Sequence, residues 1–215
     1  MRRYVFPVLL GAVGCAVLIG LGVWQVQRLA WKEALLAEIE GRIGAAAETL
    51  PSPEAAVADP LAMRFQPVEV TGRTTGEEVF VLTGMKEVGA GYEVIAAFVT
   101  DDGRQVLLDR GFVAEGQEKA ARPGVNLTVT GNLHWPDEAD RFTPAPDQGR
   151  RLWFARDVPS MAAALGAEPI LIVARDVAGD AQGIVPVPVS TSGIPNNHRE
   201  YAVTWFSLAA VWAGM

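Results

Sequence analysis

The sequence predicts an α+β membrane protein in which two transmembrane helices flank a mostly antiparallel β barrel or sandwich. Three observations carry this reading. An uncharged apolar run fills the N-terminus from Tyr4 to Trp24, and a second apolar run opens at Tyr201 and continues to Met215. Between them lie short runs rich in Val, Ile, Phe and Thr, each bounded by Gly, Pro or Asp, which is the pattern of β-strands. The boundaries read as 1–25 for a first transmembrane helix, 26–62 for a juxtamembrane helix and linker, 63–190 for an extracytoplasmic β-rich domain, and 196–215 for the start of a second transmembrane helix.

The first run is about 21 residues long, enough to cross roughly 30 Å of hydrocarbon at 1.5 Å per residue. A cleaved signal peptide would have a shorter apolar core followed by an Ala-x-Ala-like site, and none follows. A lipoprotein cysteine at Cys15 would have its apolar core before it, whereas here the run continues beyond the cysteine. No long Arg/Ser-rich presequence precedes it, which disfavours a mitochondrial precursor.

Past the span, Trp24, Arg28, Trp31 and Leu35 follow i, i+4, i+7, i+11 spacing and predict a helix that continues beyond the membrane surface. Trp24 and Arg28 suit the interface, where an indole sits among headgroups and a guanidinium snorkels. Trp31 lies about 10 Å farther along the axis, where packing on protein is expected. The alternative is an amphipathic turn lying on the surface.

The stretch AAAETLPSPEAAVADP, within 44–60, reads as a linker. Six strands are predicted next: RFQPVEVTGR, EEVFVLTG, GYEVIAAFVTDD, RQVLLDRGFVA, VNLTVTGNLHW and EPILIVARD. TDDGRQ is a tight hairpin by its Asp-Gly. Gly89-Ala90-Gly91 reads as a turn. DVPSMAAALG is the only helical segment in this region, with Asp157 as its cap and Gly166 as its stop. At the C-terminal end, Asn196 or Asn197 can cap a helix beginning near His198. The apolar part from Tyr201 onward is about 22 Å long, short of a span; either the chain lacks its natural end, the favoured reading, or the helix enters the bilayer and stops. Arg2 and Arg3 before the first span balance Arg28 and Lys32 after it, so basic residues alone do not orient the chain.

Composition excludes several function classes. The formal net charge is −7, and no basic stripe is present to neutralise a nucleic-acid backbone. One cysteine permits neither an intramolecular disulfide nor a CxxC pair. Met63, Met85 and Met161 are scattered and read as packing residues. His134 and His198 are the only imidazoles, and no serine stands in a nucleophile-elbow context. HExxH and P-loop patterns are absent. The acids of HWPDEADRF read as a solvated loop with an Asp140–Arg141 neighbourhood. No enzyme is predicted.

Two features remain. Asp109-Arg110 interrupts the buried strand VLLDRGFV, and alternation sends one charge toward an apolar face. Arg110 either pairs with a nearby carboxylate at a barrel rim, the favoured reading, or receives an anionic group. On the last helix His198, Tyr201, Trp205, Leu208 and Trp212 recur at spacings of three and four. Such a stripe suits helix packing and an aromatic belt. His198 suits a hydrogen bond at the helix start, the favoured reading of the residues alone, and also the axial position of a haem, because an imidazole at the mouth of an apolar aromatic groove is what a haem ligand needs.

Several motifs resemble, in order, those of the surfeit-locus-one family, assembly factors for haem-copper cytochrome oxidases. LGVWQVQRLAWK at 21–32 looks like the signature at the end of the family's first span. GYEVIAAF at 91–98, VLLDRGFV at 106–113 and VTGNLHWP at 129–136 resemble its β motifs. NNHREYAVTWFSLA at 196–209 is similar to its most specific element, the start of the second span. Two departures are visible: Phe112 stands where a Trp is common, and Arg199-Glu200 replaces a commoner Leu-Gln pair.

The resemblance implies a non-enzymatic protein of a bacterial cell membrane. Both termini would be cytoplasmic, and the β domain would lie in the periplasm. It also implies binding of haem a and its delivery to, or stabilisation in, the oxidase catalytic subunit, with that subunit, the haem a synthesis machinery and the lipid bilayer as partners. By position, His198 matches the family histidine proposed to contact haem iron. With it go Trp24, Arg28, Tyr201 and Trp205 as expected haem neighbours. The alternative is a membrane-tethered scaffold for oxidase subunits that never binds haem.

Overall fold

The computed structural model describes residues 2–86 and 88–214; Met1, Glu87 and Met215, and the side chains of Arg2, Arg3 and Val57, lie outside the described residues. The expectations placed on the Arg2–Arg3 flank and on the chain end at Met215 therefore lie outside them too. Two compact units divide the chain, residues 42–189 and residues 1–41 with 190–215.

The larger unit is a barrel. Its strands are β1 (Pro67–Met85), β2 (Gly89–Thr100), β3 (Gln105–Ala114), β4 (Asn126–Leu133), β5 (Leu152–Trp153) and β6 (Leu171–Gly179). Antiparallel pairing joins β1 to β2, β2 to β3, β6 to β4 and β4 back to β1, and parallel pairing of β3 with β6 closes the five-stranded ring. The two-residue β5 adds to β1 in parallel, outside the ring. This selects the barrel from the two predicted closures.

Closure depends on β1, which the sequence divides into two strands and the structure runs as one. Pro67–Arg73 pairs with β4 and Gly72–Met85 with β2. The register shifts between Thr74 and Glu78, where Gly76 takes φ +89°. Such a backbone suits glycine and makes a bulge that bends a strand without ending it. Before the bulge Val68 and Val70 point into the barrel beside Phe98, Leu108, Leu133 and Ile172. After it Val79 and Val81 face a second, outer core beneath α3 (Val158–Leu165). That helix has the predicted ends: Asp157 accepts from the Ser160 amide, and Gly166 leaves at φ +64°.

The linker expected over 44–60 is corrected here. Glu48 bridges to Val68, α2 (Pro53–Ala58) starts at the Ser52 cap, and Ala56 is 1% exposed within the inner core. The Pro- and Ala-rich composition hides a segment that packs on the barrel through small side chains. Gly89-Ala90-Gly91 is likewise strand rather than turn, belonging to β2. A Cβ on Gly91 would lie 2.3 Å from the Val113 carbonyl oxygen, so this glycine serves close approach.

Both charges of VLLDRGFV are buried, Asp109 at 2% and Arg110 at 3% exposure. Arg110 bonds Glu78 at 3.3 Å, and Glu78 holds Arg122 at 3.2 Å. Arg110 also donates to Gln182 Oε1 and to the carbonyls of Asp180 and Ala181. The ion-paired reading of Arg110 is the one the structure supports.

α1 (Arg2–Ile43), which belongs to the smaller unit up to Gly41, is one continuous helix, as the spacing through Leu35 predicts. It is the only described helix long and apolar enough to cross a membrane, with mean hydropathy 2.3 over its most apolar window. α4 (His198–Gly214) has 17 residues. That is below the ~20 a span requires, so the expected second span is not shown. The helix begins where the Asn196-Asn197 pair predicts, with the Tyr201 amide donating to the Asn197 carbonyl.

Replacing Glu78 with Ala leaves two buried guanidinium groups without their carboxylate. The expected loss is about 3–5 kcal/mol of unfolding free energy. Denaturant titration of the purified protein followed by tryptophan fluorescence measures it, and a loss below about 1 kcal/mol would show that the triad is not structural.

Candidate functional site

The candidate site is the seam between α1 and α4, which run antiparallel within one unit. On α1 the half-buried or buried positions include Gly11, Cys15, Leu18, Gly22, Gln25, Leu29 and Lys32, alternating by four and three. On α4 the corresponding row is His198, Ala202, Trp205, Ala209 and Trp212, of which Ala202 and Ala209 are buried. This is the seven-residue repeat of two helices wound together. Small residues make the approach possible: a Cβ on Gly14 would lie 2.5 Å from Trp212 Nε1, and one on Gly22 would lie 2.6 Å from the Phe206 ring. Trp212 donates to the Gly11 carbonyl at 3.1 Å. Membrane helices associate through such small-residue contacts, since lipid offers no hydrophobic drive between them.

The observed row differs from the predicted stripe. Tyr201 and Leu208 are 53% and 45% exposed and stand at its flank, while Ala202 and Ala209 occupy the contact. The sequence reading favours aromatic residues; Trp205 and Trp212 do stand on the row, and the buried places between them go to Ala202 and Ala209.

Two polar side chains meet near the start of α4. His198 Nδ1 lies 2.7 Å from Oε1 of Gln25, and Gln25 is 8% exposed. No described protein group bonds Nε2 of His198. Two turns along α4, Trp205 Nε1 is buried without a hydrogen-bond partner.

The remaining expected site residues lie beside the seam. Trp24 is 50% exposed, and the Arg28 guanidinium stacks over Trp31 at 4.4 Å. Trp31, expected to pack on protein, keeps 53% of its surface exposed. Val17 and Leu208 line one apolar groove of about 400 Å³ together with Gly14, Leu18, Val211 and Trp212. Trp24 stands one heptad after Val17, and Tyr201 one heptad before Leu208. In an antiparallel pair this puts Trp24 and Tyr201 on the same side as the groove, one heptad farther along it. Sequence reading missed Gln25, although an uncharged amide at an apolar heptad position is a visible signal.

A second cluster lies in the barrel unit. Arg156 meets Glu93 at 3.5 Å, Asp109 at 3.6 Å, and also Glu138. The loop acids therefore include one member, Glu138, of a partly buried network, and the solvated-loop reading holds only for its neighbours. Burial, then the charge of Glu93, pushes Asp109 up to about 8 despite Arg156. His134 stacks on Phe65 at 5.4 Å, and burial followed by the charges of Arg156 and Arg64 lowers it to about 4. A neutral, stacked imidazole with Nδ1 unbonded is a packing group here.

Sequence comparison places these units in a known group. Residues 12–210 match the SURF1 family. The chain is 32% identical to Surfeit locus protein 1 of Homo sapiens, over 89% of this chain and 70% of that protein. It is 32% identical to a SURF1-like protein of Monosiga brevicollis, covering 91% and 80% respectively. Surfeit locus protein 1 of Takifugu rubripes is 29% identical, over 91% of this chain and 89% of its own length.

The Asp109 environment gives a pH dependence. Its carboxyl titrates near 3.9 in an unfolded chain and at about 8 when folded. Between those values the unfolded state releases a proton that the folded state keeps, so stability falls as pH rises across that window. Denaturation midpoints measured from about pH 5 to about pH 8 should decline for the wild type and flatten for Asp109→Asn. An identical slope in the variant would refute the assignment.

Proposed function

The chain belongs to the SURF1 family, and from that premise we propose that it is an assembly factor for haem-copper cytochrome oxidase that binds haem a and passes it to, or stabilises it in, the catalytic subunit. The observation that carries the haem reading is His198. It is the only imidazole of the helical unit, and it sits half-buried on the seam with one ring nitrogen bonded to Gln25 and the other bonded to no described protein group.

The residues present fit such a group. A haem needs an axial nitrogen, apolar walls and cations for its propionates. Nε2 of His198 would supply the first. Trp205 and Trp212 on the seam, with Trp24 and Tyr201 along the same side, would supply the second. Arg28 and Arg199, both exposed, would supply the third. Nε1 of Trp205, buried and unbonded, is a donor for a polar substituent at the edge of the ring. Haem iron is satisfied on one face by a single histidine, so a site without a cluster of ligands is compatible with it.

The rest of the proposal follows the family. α1 is a membrane anchor by length and composition, α4 belongs to a second span, and the barrel faces the periplasm of a bacterial cell. The oxidase catalytic subunit and the haem a synthesis machinery are the partners. No catalytic group is assigned.

The test is electronic absorption of the full-length protein in detergent titrated with haem a, wild type against His198→Ala. Loss of the protein-bound Soret band, or at least ~10-fold weaker binding, is the expected result for removal of an axial ligand. An unchanged band and affinity would remove the ligand assignment. Retention of oxidase subunits by the protein in cells lacking haem a, with no haem bound, would then favour a scaffold.

A further inference from the structure

Among the described residues Gln25 is the one buried polar side chain of the α1 seam. It stands between Gly22 and Leu29 on that row, and a primary amide buried between such neighbours without a partner would cost roughly 1–3 kcal/mol. Its partner is the imidazole of His198, at 2.7 Å from Oε1 to Nδ1.

The chemistry of that contact has two solutions. A carboxamide oxygen only accepts, so with Oε1 toward the ring the hydrogen sits on Nδ1 and the lone pair on Nε2. With the amide turned over, its N–H groups would face Nδ1, the lone pair would be on Nδ1, and Nε2 would carry the hydrogen. Only the first leaves Nε2 able to bind a metal. Histidine ligands commonly have the far nitrogen held in this way by an acceptor, which fixes both tautomer and ring direction.

We propose that Gln25 is a positioning residue that holds His198 in the Nδ1–H tautomer, with the Nε2 lone pair directed to a metal-centred ligand. The consequence for ligand binding rests on the haem reading above; the tautomer does not. A pair that served only to align the two helices would be satisfied by either tautomer, so the position of one proton separates the two roles.

Long-range ¹H–¹⁵N correlation spectra of the full-length, haem-free protein labelled at histidine read that proton directly, and His198→Ala assigns the signals against those of His134. The wild type should show a pyrrole-type Nδ1 and a pyridine-type Nε2 at His198. Gln25→Leu should lose this preference, and Gln25→Glu, which keeps an acceptor oxygen, should retain it. Circular dichroism checks that the helices persist. Should Gln25→Leu fail to fold, the wild type and Gln25→Glu spectra still decide. A wild-type His198 protonated at Nε2, or a Gln25→Leu spectrum unchanged from wild type, would overturn the proposal.

In the haem titration Gln25→Leu should weaken binding about 10- to 100-fold, with Gln25→Glu close to wild type. If His198→Ala leaves haem absorption untouched, the haem reading fails while the tautomer is still decided by the haem-free spectra. If His198→Ala abolishes binding but Gln25→Leu does not weaken it, the ligand stands and the positioning role falls.

Discussion

Closure of the barrel depends on one strand having two partners. β1 gives its first half to β4 and its second half to β2, and the overlap at Gly72–Arg73 is where both pairings meet. At that point the neighbouring backbone is so close that a Cβ on Gly72 would lie 2.2 Å from the Val99 carbonyl oxygen. The bulge that follows turns the strand and exchanges its faces, so one strand contributes to the inner core before the bend and to the outer core after it. Glu78 enters at that exchange. Its burial between Arg110 and Arg122 follows from where the bend leaves it, and the triad in turn ties β1 to β3.

The helix pair obeys a related constraint. Two apolar helices gain little from each other except contact, and here glycines on α1 receive aromatic rings of α4, Gly14 that of Trp212 and Gly22 that of Phe206, while Ala202 and Ala209 are buried. Antiparallel heptads then place equivalent flanks side by side. This is why residues far apart in sequence, Trp24 on α1 and Tyr201 on α4, lie along the same side as the groove lined by Val17 and Leu208. In such a seam a polar side chain cannot be neutral in effect: it is either paired across the interface or a cost, and the Gln25–His198 contact satisfies one side of each.

Much of this was legible in the sequence, for identifiable reasons. The α1 helix, the α3 caps and the hairpin at Gly103 are local, and local chemistry specifies them. The barrel strands follow from alternation. What escaped was set by packing at a distance. RTTGEE looks like a break because glycine signals turns and bulges alike, and only the pairing of β1 with two strands distinguishes them. The segment around Ala56 looks like a linker because small residues pack as readily as they flex. On α4 the pattern of threes and fours specifies the correct helix but the wrong centre of its face, since hydrophobicity ranks Tyr201 and Leu208 above Ala202 and Ala209 while close approach ranks them below. Gln25 was overlooked beside Trp24, although its amide is the polar residue such a row has to explain.

Hydrogen bonding separates the two features the sequence singled out. Arg110 reaches four acceptors, Glu78, Gln182 and the carbonyls of Asp180 and Ala181, so nothing about it calls for a ligand. His198 is bonded at one nitrogen only, and Trp205 Nε1, two turns farther on the same row, is bonded to nothing. Leaving a buried indole N–H without a partner costs on the order of 1–3 kcal/mol. That cost sits on the same face as the half-satisfied imidazole. Charged residues in a strand drew attention first because they are conspicuous in a sequence. On the helix seam the groups to account for are neutral, and it is incomplete hydrogen bonding rather than charge that supports the proposed site at His198.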